Sequence, residues 1–117
     1  MNETEHRQVL KTAKALVARG WTQGYVAEDP PGHSCCPMSD VACRWCLLGA
    51  CERAMSDHGH LQEDSWLKML AVLKRAISAS GEISPVVWND TPSRKRPQVL
   101  ALLDKAIESL ASNERTP

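Results

Sequence analysis

The chain has 117 residues, the size of one domain, and fourteen basic residues balance fourteen acidic ones. Zero net charge leaves no long-range pull toward nucleic-acid phosphate or anionic lipid, and a hydrophobic share of 43% lies far from the disordered regime. No apolar run approaches the ~20 residues that span a bilayer, the start "MNETEHRQVLKT" lacks the apolar core of a signal peptide, and five cysteines suit a reducing compartment, so a cytoplasmic protein is expected.

The first segment, "NETEHRQVLKTAKALVARG", spaces Val9, Leu10, Ala13, Leu16 and Val17 as one helical stripe. Asn2 and Glu5 read as a capping box, and Gly20 marks the end. "WTQGYVAEDPPGHSCCPM" follows, with three prolines and two glycines. It is a loop of roughly 18 residues, long enough that it must pack or function, with Trp21 and Tyr25 available to pin it. "SDVACRWCLLGACERAM" reads as a second helix capped by Ser39, with Val41, Trp45, Leu48 and Glu52 on one stripe. "SWLKMLAVLKRAISASG" reads as a third, with Trp66, Leu70, Leu73 and Ile77 inward and Gly81 as terminator. "EISPVVWNDTPSRKR" is irregular, its "VVW" no more than a small strand. "PQVLALLDKAIESLAS" reads as a fourth helix with Pro97 in the first turn and Val99, Leu100, Leu103, Ala106, Ile107 and Leu110 buried. The expectation is an all-α bundle of about four helices with two long ordered loops and room for one short β-hairpin: a single domain over residues 1–112 and a frayed tail over 113–117.

"GWTQG" at residues 20–24, "RWCLLGA" at 44–50 and "VVWNDTPSR" at 86–94, followed by a helix near "QVLALLDKAI", together resemble a small family of bacterial and phage proteins. Its signatures are W-C-x-L-G-A and W-N-D-x-P. The resemblance implies a compact helical domain and brings no activity with it. Two features depart from the pattern: Lys95 stands where members carry Thr or Ser as a helix cap, and Cys35, Cys36 and Cys43 have no counterpart, so only Cys46 matches.

Three chemistries compete for the cysteines. His33, Cys35 or Cys36, Cys43 and Cys46 are zinc-type ligands, with Cys43 and Cys46 on one helical face. "CRWC" lacks the turn residues of a zinc knuckle, however, and free cysteine is commonly a small buried hydrophobe, so no metal or other cofactor is expected. Gln23, Cys46 and Asn89 follow the order of a papain-like site, but His58 and His60, the candidate bases, sit in a turn. The plainer account makes Cys46 and Gly49 a packing contact, where missing bulk lets another backbone or a tryptophan approach. On that account Cys46→Ser should cost more than Cys46→Ala, because serine buries a hydroxyl. Trp88 then plugs the core while Asn89 and Asp90 shape a turn by bonding backbone groups; the alternative places them in a polar site beside "WTQG".

Arg94, Lys95 and Arg96 oppose the dipole of the helix they precede, which suits a rim for an acidic protein surface. With Tyr25 and Met38 from the long loop they are the candidate binding residues. The reading is a non-enzymatic protein–protein interaction module, in the form of a phage or mobile-element inhibitor of a host protein. A zinc-stabilised regulatory domain and a small cysteine-dependent enzyme are the alternatives. Neither nucleic acid nor a membrane is indicated as a partner.

Overall fold

The computed structural model describes the backbone of residues 1–115 and the side chains of residues 1–110. In chain order come α1 (Glu3–Arg19), β1 (Ala27–Glu28), β2 (Arg44–Trp45), α2 (Leu47–Asp57), α3 (Glu63–Ile77), α4 (Pro85–Asp90) and α5 (Arg96–Arg115). This is the expected all-α bundle, with a small antiparallel strand pair that sets Ala27 against Trp45 and Glu28 against Arg44. No helix among the described residues is long and apolar enough to cross a membrane. α5 is described to Arg115, and residues 116–117 of the tail expected to fray lie outside the described residues.

α1 is the spine, packed along α5 on one side and α2 on the other. Its start carries the capping box: Glu5 N–H donates to Asn2 Oδ1 at 2.8 Å and Asn2 N–H to Glu5 Oε1 at 3.1 Å. Its buried stripe is His6, Val9, Leu10, Ala13, Leu16 and Val17. α5 buries Val99, Leu102, Leu103, Ala106 and Leu110 against it, with Leu100 and Ile107 half-buried at the edge. Lys95 offers no side-chain acceptor to the first turn, and only the reciprocal half of a capping box is made there, the Lys95 N–H donating to Gln98 Oε1 at 2.8 Å.

Two elements differ from the sequence reading, and α3 is turned relative to it. α2 begins at Leu47, eight residues after the Ser39 cap that local pattern suggested, and the stripe Val41–Trp45–Leu48–Glu52 does not exist. The reason is non-local. Cys43 N–H donates to Glu28 O, Trp45 N–H to Gly20 O and Cys46 N–H to Val26 O, so the end of α1 and the long loop take the donors a helix would need. Cys43 and Cys46 therefore share no helical face. "VVW", read as strand, lies in α4, started by Pro85 in its first turn. α3 buries Ser65, Met69, Leu73 and Ala76, leaving Leu70 half-buried and Leu67 exposed.

Candidate functional site: a knot of three segments

Residues 21–26, 44–50 and 86–94 meet at the N-terminus of α2, and Asn89 ties them together. Asn89 is 1% exposed. Its Oδ1 accepts from the Trp21 indole Nε1 at 2.8 Å and from the Leu47 N–H at 3.0 Å; its Nδ2 donates to Thr22 O at 3.2 Å and to Asp90 Oδ1 at 2.9 Å. The Leu47 N–H is the first free donor of α2, so a side chain 42 residues away caps that helix. Gln23 Nε2 donates to the carbonyls of Asn89 and Thr91 at 2.9 and 2.8 Å, and Gly24 N–H to Asp90 Oδ1 at 3.0 Å.

Cys46 is the N-cap of α2. Its Sγ accepts from the Gly49 N–H at 3.3 Å, the N3 donor that a serine or aspartate cap usually takes. Burial pushes the thiol above its ordinary value, and the N–H groups of Gly49 and Leu48 offset only part of that. The thiol at Cys51, fully enclosed one turn on, is pushed up to about 12 by burial. Gly49 lies against the backbone of Val26, whose carbonyl oxygen occupies the space a Cβ would need.

A pocket of about 100 Å³ opens here, lined by Gly24, Tyr25, Val26, Cys46, Val86 and Asp90. Tyr25 is 50% exposed; Val26 and Val86 stand at its mouth, and Val87, next along α4, is 65% exposed. Sequence reasoning found Tyr25 but missed Val86 and Val87, because "VVW" reads as no more than a small strand in an irregular segment.

The other candidates are dispersed. Arg94 holds its guanidinium 3.9 Å from the Trp88 ring centroid and donates from Nε to Trp88 O at 2.9 Å, so it braces α4. Arg96 reaches Ala18 O at 3.4 Å, while Lys95 is exposed. Met38 is half-buried in the turn closed by Ser39 N–H on Cys36 O, away from the pocket. Burial raises the Cys35 thiol, and Asp29, Cys36 and Cys43 add to that, which places three thiols in one neighbourhood. Yet no group of three or more His, Cys, Asp or Glu among the described residues could hold a metal ion. His33 lies 3.6 Å from Asp29, His58 bonds Thr12 at 2.8 Å, His60 pairs with Glu5 at 2.8 Å, and His6 bonds Asn2 O at 2.8 Å.

A family model described as "Family of unknown function (DUF6197)" matches residues 1–109, a span that contains all three segments of the knot. The chain belongs to that family. No curated protein and no solved structure matches it. Within this DUF6197 domain the capping geometry reverses the order expected for variants of Cys46. A serine oxygen is a stronger N-cap acceptor than sulfur, whereas alanine has none and leaves a void. Cys46→Ser should therefore retain stability to within about 1 kcal/mol, and Cys46→Ala should lose roughly 1–2 kcal/mol. Urea titration of both proteins checks that ranking.

Proposed function

We propose that this domain is a non-enzymatic protein-binding module that seats one aliphatic side chain of a partner protein between the 24–26 turn and α4. The observation that carries the reading is the ring of exposed apolar side chains, Tyr25, Val26 and Val86, around the pocket, with Val87 alongside. They sit on a base fixed by Asn89, so little ordering is left to be lost on binding. At about 100 Å³ the pocket holds a side chain; small-molecule sites run to ~300–1,000 Å³. Against a thiol enzyme stand a raised Cys46 thiol, a Gln23 amide committed to two carbonyls, and four histidines engaged elsewhere.

The finer form of the reading is that the partner is a host or cellular protein, blocked in the cytoplasm on behalf of a phage or mobile element. The sequence resemblance and the small size support it. Lys95 and Arg96, outside the pocket lining, add positive charge that speeds association with an acidic partner. The reading requires no metal, cofactor, nucleic acid or membrane.

The test is affinity capture from the cells that carry the protein, comparing the unmutated domain with Tyr25→Ser/Val87→Glu. Both substitutions fall on exposed positions, so thermal melting should be unchanged. A partner that is retained by the unmutated domain and falls about tenfold on the double variant supports the reading. Equal retention by both proteins, or no retained partner, overturns it.

A further inference from the structure

We infer that the groove between α3 and α5 is a second binding site, built for an acidic amphipathic helix of a partner protein. It lies apart from the knot and shares no lining residue with the pocket at Cys46. The groove encloses about 410 Å³ and is edged by Lys68 and Arg75 of α3 and Lys105 of α5. Among the described residues none of the three cations makes an ion pair or hydrogen bond, and Glu3 is the one carboxylate in the lining. The floor is apolar, with Val72, Ala76 and Leu110.

A second observation points the same way. α3 is turned so that Met69, Leu73 and Ala76 enter the core while Leu67 stays 55% exposed and Leu70 half-buried. A further cleft of about 290 Å³, lined by Leu67, Leu70 and Lys74, flanks the helix on its other side and shares Ala71 and Arg75 with the groove. The outward face of α3 is thus an apolar ridge set with cations, and the core does not use it.

Shape and spacing select the occupant. A flat bilayer touches convex or planar surfaces, whereas a ridge bordered by two clefts interlocks with the ridges and grooves of another helix. Lys68 and Arg75 are seven residues apart, about 10.5 Å along the axis of α3. A partner helix matches that with two carboxylates about two turns apart beside aliphatic residues at i, i+3, i+4 and i+7. Three cations spread along one groove exceed what a single small carboxylate would use.

The probe is a capped peptide of about 18 residues, long enough to become helical on binding, made of Leu, Ala, Gln and Glu with the leucines at helical spacing and two Glu seven apart beside them. A control peptide carries Gln at both Glu positions. Fluorescence anisotropy against the full-length domain should show the Glu peptide binding about tenfold more tightly, with the advantage shrinking as salt rises. Lys68→Glu/Arg75→Glu/Lys105→Glu, all at exposed positions, should melt normally and lose the binding, and Leu67→Ser should weaken it about fivefold. Tyr25→Ser/Val87→Glu should bind the peptide as the unmutated domain does, which separates failure here from failure at the knot. Equal affinity for both peptides, full binding by the triple variant, or no binding at millimolar peptide overturns the inference. So does charge-dependent capture by phosphatidylserine vesicles without peptide binding, which would assign the face to a membrane surface.

Discussion

Replacing Asn89 by alanine is expected to remove about 3–5 kcal/mol of stability, a large part of the ~5–15 kcal/mol that holds a domain of this size together. The figure follows from what is left behind. The Leu47 N–H and the Thr22 carbonyl would lose their buried partner, and Trp21 Nε1 would lose its acceptor at a half-buried position. Each orphaned buried group costs about 1–3 kcal/mol, and the vacated volume adds to that. At about 4 °C or more per kcal/mol, the melting temperature should fall by roughly 12 °C or more. Trp21→Phe removes one bond and keeps the other three, so a loss of about 1 kcal/mol is expected there. Thermal melts of the two variants are the measurement. An Asn89→Ala protein that melts within a few degrees of the unmutated domain would show that Asn89 does not join the three segments.

Helices whose ends are signalled by their own residues were legible before the structure. Asn2 and Glu5 placed the start of α1 because both halves of a capping box lie within four residues, and the stripe from Val9 to Val17 named its buried face. The start of α2 was misplaced because its determinants are remote. Cys43, Trp45 and Cys46 have their N–H groups claimed by Glu28, Gly20 and Val26, and no local pattern reports a claim from 15 to 25 residues away. Asn89 is the same case at the site. Before Asp-Thr-Pro it reads as a turn former, and nothing beside it announces bonds to Trp21, Thr22 and Leu47. The basic run failed differently. Three adjacent cations look like one patch, but Arg94 spends its charge on the Trp88 ring while Lys68, Arg75 and Lys105, dispersed in sequence, share one groove.

The second large effect should come from a single methyl group. Gly49→Ala puts a Cβ onto the carbonyl oxygen of Val26, with the Val26 carbonyl carbon at 2.8 Å, and both obstacles are backbone rather than the tip of a flexible side chain. Relief requires α2 to draw away from the 24–26 turn. That would stretch the Cys46 N–H···O=C Val26 bond, now 3.1 Å, and open the pocket lined by Val26 and Cys46. Alanine favours a helix over glycine by about 1 kcal/mol, so that term opposes the clash. Overpacking against rigid backbone costs about 1–3 kcal/mol for added methylenes, and the lost bond adds about 1 kcal/mol more. The clash wins, and a net loss of about 1–3 kcal/mol is expected, with Gly49→Leu unfolding the domain. Gly59→Ala is the contrast: its φ of +73° strains an alanine, but nothing lies within 4 Å of the new methyl, so it should lose about 1 kcal/mol and leave α2 in place. Hydrogen exchange separates the two cases. Gly49→Ala should speed exchange at Cys46 and at Ala50, whose N–H bonds the Cys46 carbonyl at 2.9 Å, while the amides of α1 stay protected. If Cys46 and Ala50 exchange at unmutated rates in Gly49→Ala, the close approach of Val26 is not what requires glycine there.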